Sequence, residues 1–215
     1  MKTLFLTSSI SGVAHDLPRH FPKGTKGLRL AFIDTAAEVE TGDMTWLKDD
    51  RQSLVDVGFS VSDYTVTGKT QKEIVTDLSK VDTLFFSGGN TFYLLQQLQK
   101  SDSMGVICDF VQSKEKIYMG ASAGSILVGP DISPVRNLDR EALATELTGY
   151  SGLSLINFVI MPHWGSEHFR EAYLDKQTLE RVCTIDQYPL LLLTDTQYVH
   201  VKDDWHQIVD VSKTV

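Results

Sequence analysis

Two junctions restrict this chain more than anything else in it. Val81-Asp-Thr-Leu-Phe-Phe86 is an apolar run that passes straight into Ser87-Gly88-Gly89-Asn90 and then into a helical pattern, with Phe92, Leu95 and Leu98 on one face. Ile117-Tyr-Met119 passes through Gly120-Ala-Ser-Ala-Gly124 into Ser125-Ile-Leu-Val128. A strand that ends in a glycine turn and feeds a helix is the building unit of a parallel sheet, whose strands need crossover connections. The C-terminal ends of such strands share one edge, and sites form there. Two junctions of this kind make that edge the place to look for chemistry.

The second junction is a G-x-S-x-G turn between a strand and a helix, the pattern of a nucleophile elbow. At ordinary residue frequencies the bare motif arises by chance in roughly one chain in fifteen of this length. A turn of small residues is therefore the competing reading, and the rest of the chain must decide. If Ser122 is a nucleophile, Gly120 and Gly124 let the flanking backbone crowd together, and the N–H of Ala123 can help hold an oxyanion. At the first junction, Gly88 and Gly89 leave backbone N–H groups free to approach a ligand, and Asn90 or Thr91 can cap the helix.

The remaining segments repeat the alternation. Strands are expected at Thr3 to Thr7, Gly27 to Asp34, Phe59 to Val66, Phe158 to Met161 and Pro189 to Leu193; helices are expected over 43–57, 72–78, 91–98, 103–113 and 167–182. The tail from Tyr198 to Val211 alternates around Asp203-Asp204 and reads as an antiparallel hairpin at the sheet edge. No repeat, linker or low-complexity tract interrupts the pattern. The fold class is thus α/β: residues 1–215 as one domain, a mainly parallel central sheet with helices on both faces, and a C-terminal β-hairpin.

Composition narrows the partners. The formal net charge is −8, so no basic surplus exists to neutralise phosphates or an anionic membrane surface. Cys108 and Cys183 read as reduced core residues, and no apolar run is long enough for a leader or a membrane span. These features point to a cytoplasmic protein. No metal site is expected: His15, Asp16 and His20 cluster, but their spacing fits no closed site. No cofactor is implied. The exposed hairpin could pair across a homodimer.

A nucleophilic serine needs a base, and the base needs a third group to fix its tautomer. Of the six histidines, only His163 follows directly on an expected core strand, in Met161-Pro-His-Trp-Gly165; His168 is the fallback. The acid is expected from the long polar stretch 131–152, where Asp139 and Glu141 both qualify.

Three motifs taken together carry a resemblance. SGGNTFYLL at 87–95, GASAGSILVGP at 120–130 and MPHWG at 161–165 resemble the motif set of the peptidase E / cyanophycinase family of serine peptidases. That family has a class I glutamine-amidotransferase-like α/β fold. The resemblance covers nearly the whole chain in order. It implies that Ser122 is the nucleophile and His163 the general base. It also implies that Gly88, Gly89 and Asn90 face the elbow as substrate-binding residues, with the N–H groups of Gly89 and Ala123 as oxyanion donors. The family's third triad member is an aspartate between the serine and the histidine. Counting forward from Ser122 places it near Asn137; alignment on Gly152-Leu153 favours Asp139, with Glu141 second. One segment departs from the family. After His163 the chain reads GSEHFREAYLDK, with Arg170 alone, where peptidase E carries an arginine-containing stretch suited to a substrate's N-terminal aspartate. The expected activity is hydrolysis of small peptides or isopeptides through an acyl-enzyme. The alternatives are an α/β-hydrolase-like esterase, which would place its histidine late, at His200 or His206, and a non-catalytic small-molecule sensor.

Overall fold

Apolar runs of four or five residues cannot bury both faces as isolated strands, so they assemble side by side. In the computed structural model, which describes residues 2–113, 115–136, 138–175, 178 and 187–213, seven strands, the central ones built from such runs, form one sheet in the order β3-β2-β4-β5-β1-β8-β9. The strands are β1 (Thr3–Thr7), β2 (Arg29–Ile33), β3 (Ser60–Tyr64), β4 (Thr83–Phe86), β5 (Ile117–Ala121), β8 (Gln197–Lys202) and β9 (Trp205–Asp210). β1 to β5 run parallel; β8 pairs antiparallel with β1, and β9 with β8. The single α/β domain, the parallel core and the C-terminal hairpin are as the sequence implies.

Strand alternation divides the core in two. Leu4, Leu6, Leu84, Phe86 and Tyr118 point into one layer, while Phe5, Phe85 and Met119 point into the other. Both layers are covered, because a parallel sheet exposes neither face. The helices are α1 (Thr45–Asp56), α2 (Gln71–Leu78), α3 (Thr91–Lys100), α4 (Met104–Gln112), α5 (Ala123–Ile126) and α6 (Arg170–Leu174). α2 starts at a capping box formed by Thr70 and Glu73, and α3 starts at Asn90, whose side chain accepts from the Tyr93 N–H.

Two expectations change. The runs ending in His163 and Asp195 form strands β6 (Val159–Met161) and β7 (Leu190–Leu192), and these do not join the main sheet. They pair with each other as a separate parallel ribbon. They cannot pair with β1, which already has β5 on one side and β8 on the other. Residues 14–20, expected as loop, form a 3₁₀ helix with Pro18 inside it. The helix expected over 167–182 is present as Arg170–Leu174 and ends at Asp175, whose backbone is extended; residues 176–177 and 179–186, Cys183 among them, lie outside the described residues. Among the described residues no helix is long and apolar enough to cross a membrane.

Candidate active site

The C-terminal ends of β1, β4 and β5 meet, with α1, around a cavity of about 520 Å³. Its wall includes Ser8, Trp46, Asp50, Gly88, Gly89 and Ser122 from the main body, and His163 and Phe169 from the segment after β6.

Ser122 stands at the sharp turn from β5 into α5, with φ 46° and ψ −108°. A non-glycine residue in such a conformation is strained and persists only where its surroundings over-determine it. Here they do. The Ser122 N–H donates to Thr7 O (3.0 Å). The Ser125 hydroxyl donates to Thr7 O (2.7 Å) or Gly120 O (2.8 Å) and accepts from the Thr7 N–H (2.8 Å). The Tyr118 hydroxyl donates to Gly124 O (2.7 Å). Gly124 is required by crowding: a Cβ there would lie 2.2 Å from Phe86 O. Gly89 has φ +121°, and a Cβ on it would lie 2.3 Å from Ala36 O.

A Cβ on Gly88 would sit 3.4 Å from the Ser122 Cβ, so the two glycine turns face each other. The N–H groups of Gly89 and Ala123 have no acceptor among the described residues. Ala123 is the first residue of α5, so its N–H has no intrahelical partner by construction. Donors of this kind, fixed before a reaction begins, stabilise a developing oxyanion well.

His163 is also held in a left-handed backbone conformation, at φ 61°. Its N–H donates to Ser8 Oγ (3.0 Å), and that hydroxyl donates to Leu193 O (2.8 Å). The imidazole stacks on Phe169 with centroids 4.4 Å apart. Its Nδ1 lies 2.6 Å from Asp195 Oδ1. The β6–β7 ribbon explains this pair. Met161 is in register with Leu192, and the Trp164 N–H donates to Leu193 O (2.9 Å), so both chains leave their strands side by side. Ser8, just past β1, ties that ribbon to the serine's sheet.

Asp139, the residue expected to orient His163, takes another partner. Its carboxylate accepts from the Thr91 N–H (2.8 Å) at the start of α3. That first-turn N–H is an orphan donor and captures it. Burial raises the Asp139 pKa to about 6. Glu141 accepts from the Tyr150 hydroxyl and pairs with Arg136 (3.3 Å). Neither carboxylate bonds His163; Asp195 does. The sequence signal for Asp195 was an acidic residue immediately past an apolar strand, the same kind of position that singled out His163. Asn90 is buried behind the site, capping α3 and donating to Arg140 O (3.0 Å). Asp50, Glu40 and Trp46 line the cavity and carried no motif to reveal them.

His200 and His206 belong to the tail hairpin. His200 stacks on Phe5 and His206 lies against Phe158. Neither is in the cavity wall, so the late-histidine arrangement of an esterase has no support.

A family model for peptidase family S51 matches residues 4–209. The chain belongs to peptidase family S51. It is a serine-type peptidase, and the sensor reading falls away. The uncharacterized peptidase Lmo0363 of Listeria monocytogenes is 33% identical over 171 residues, covering 80% of this chain and 82% of that protein. Peptidase E of Shewanella amazonensis is 27% identical over 76% of this chain and 67% of its own length. A crystal structure from Listeria monocytogenes EGD-e, described as a candidate peptidase E, superposes with a TM-score of 0.86 at 28% identity, over 98% of both chains. A peptidase from an acI-B1 Actinobacterium shares the fold, with a TM-score of 0.70 at 17% identity, over 98% of this chain and 88% of that one.

Proposed function

We propose that this S51 member hydrolyses small peptides or isopeptides through an acyl-enzyme on Ser122. His163 Nε2 takes the hydroxyl proton as the serine oxygen attacks the carbonyl. Asp195 accepts from Nδ1–H and stabilises the imidazolium that forms. The N–H groups of Gly89 and Ala123 hold the oxyanion. His163 then protonates the leaving amine. Water, deprotonated by the same imidazole, hydrolyses the ester and restores Ser122. Ser122 is thus the nucleophile of an elbow, and Asp195 takes the place expected of Asp139.

The observation that carries this reading is the 2.6 Å contact between His163 Nδ1 and Asp195 Oδ1 beside the strained Ser122, in one cavity. A base with one nitrogen fixed by a carboxylate presents the other nitrogen as acceptor. Intact mass after treatment with a fluorophosphonate probe tests it. Wild type should gain one adduct, lost in Ser122→Ala and His163→Ala. Asp195→Asn should slow labelling by roughly 10³–10⁴-fold by favouring the wrong tautomer. Full-rate labelling of Asp195→Asn together with slow labelling of Asp139→Asn would return the acid's role to Asp139.

A further inference from the structure

The cavity beside Ser122 holds more negative charge than the proposed chemistry uses. Among the described residues, Glu40, Asp50 and Asp139 line it with Arg140 as the one lysine or arginine, and Arg140 already faces Glu40 at 3.8 Å. Asp139 is occupied by the Thr91 N–H. Asp50 has less. It is 4% exposed, it belongs to the cavity wall, and among the described residues its one hydrogen-bond partner is Ser11, whose N–H donates to Oδ1 at 3.1 Å. Beside burial, the main groups that act on its charge are Ser11, His163 and Asp49, and among the described residues no lysine or arginine is paired with it. A buried carboxylate without a counter-ion is costly, and such groups concentrate where a site needs them.

We propose that this cavity receives a positively charged group of the substrate and that Asp50 is the residue that reads it. The inference rests on the peptidase reading above and deepens it. The cation is either the ammonium of a peptide's N-terminus or the side chain of a lysine or arginine next to the scissile bond. Either would give Asp50 a full cationic partner. Trp46 and Phe169 line the same cavity and offer aromatic faces to a cation or to its methylene stem. An acidic side chain would instead meet three carboxylates. Arg170, the sole arginine in the departing segment after His163, is turned to Glu167 (3.2 Å) and does not line the cavity.

The test is competition for Ser122. Wild type and Asp50→Asn are labelled with a fluorophosphonate probe in the presence of the amides of arginine, lysine, leucine and aspartate, each with a free and an acetylated α-amino group. Competition reads binding whether or not the amide is cleaved. In wild type, cation-bearing amides should protect about 10–100-fold better than neutral ones, the scale of a hydrogen bond to a charged group. Arginine exceeding leucine in both free and acetylated forms assigns the cation to the side chain. Free exceeding acetylated for every side chain assigns it to the N-terminus. Asp50→Asn should erase most of that preference. Equal protection by all amides, better protection by aspartate, or a preference that Asp50→Asn leaves intact would overturn the proposal. So would an equal loss for every amide, which would make Asp50 only a support of His163. A wild type that takes no label refutes the peptidase reading itself, a distinct result.

Discussion

Replacing Asp50 with asparagine should make the protein more stable near neutral pH. The side chain is buried, and asparagine keeps an oxygen for the Ser11 N–H. Its new amide group would face the cavity, where water can satisfy it. What the substitution removes is charge. Burial raises the Asp50 pKa from 3.8 to about 6, opposed by the Ser11 hydrogen bonds and His163 and reinforced by Asp49. A folded-state pKa above the unfolded one means that the native protein holds this proton more tightly. Stability from this group is therefore lost as pH rises from about 3.8 through about 6, and at pH 8 the whole deficit is present. At roughly 1.4 kcal/mol per pKa unit, the deficit is about 3 kcal/mol. For a domain of this size that corresponds to about 6–12 °C in Tm. Thermal denaturation of both proteins at pH 4, 6 and 8 checks it. The difference should be near zero at pH 4 and grow across the interval. A constant offset at all three pH values, or a variant less stable at pH 8, would refute the reasoning. A gain in stability accompanied by lost cation selectivity is the trade expected when a site keeps a strained group for function.

Two further substitutions and one pH effect follow from the same geometry. Gly89→Ala should cost about 3 kcal/mol, since its Cβ would overlap Ala36 O in a conformation side chains avoid; denaturant unfolding would show it. Gly105→Ala, in α4 with nothing within 4 Å of the new Cβ, should stabilise by about 0.5–1 kcal/mol in the same measurement. His200 is neutral in the fold, its pKa lowered to about 4 chiefly by burial, then by His20, Lys202 and Arg19. Because the unfolded chain takes up this proton first, stability should fall as pH drops from 6.5 toward 4. His200→Phe, which keeps the ring stacked on Phe5, should flatten that acid limb by about 1–2 kcal/mol after screening at a half-buried site.

The fold and the two glycine turns that face each other were legible because they depend on local pattern. Phe86 and Met119 end apolar runs just before glycines, although the backbone that demands Gly89 and Gly124 belongs to Ala36 and Phe86, far away in the chain. Ser122 and His163, the proposed nucleophile and base, stand out in the sequence because each follows closely on a strand. The choice of acid depended on something no window contains. Asp139 and Asp195 both lie within reach of the site, and a linear alignment favours the one nearer Ser122. The selection is made by pairing. β8 takes the second edge of β1, β6 pairs with β7 instead, and that ribbon brings Asp195 to His163. The same competition leaves Asp139 to the unpaired Thr91 N–H at the start of α3.

Asp50 shows the complementary limit. In the sequence it is one charged residue on an amphipathic helix, Thr45 to Asp56, where charges normally face solvent. It is buried, and the loop after β1 reaches it through the Ser11 N–H. That loop also carries Ser8, which holds the His163 backbone. The residues that position the proposed base and the residue proposed to read the substrate's charge are therefore fixed by one short segment, Ser8 to Ser11. A substitution that frees this segment, such as Ser8→Ala, should loosen both at once. It should slow probe labelling of Ser122 and weaken discrimination among the amides, whereas Asp50→Asn should change the ranking of the amides. Separating these two signatures would show whether catalysis and specificity share a hinge in this peptidase.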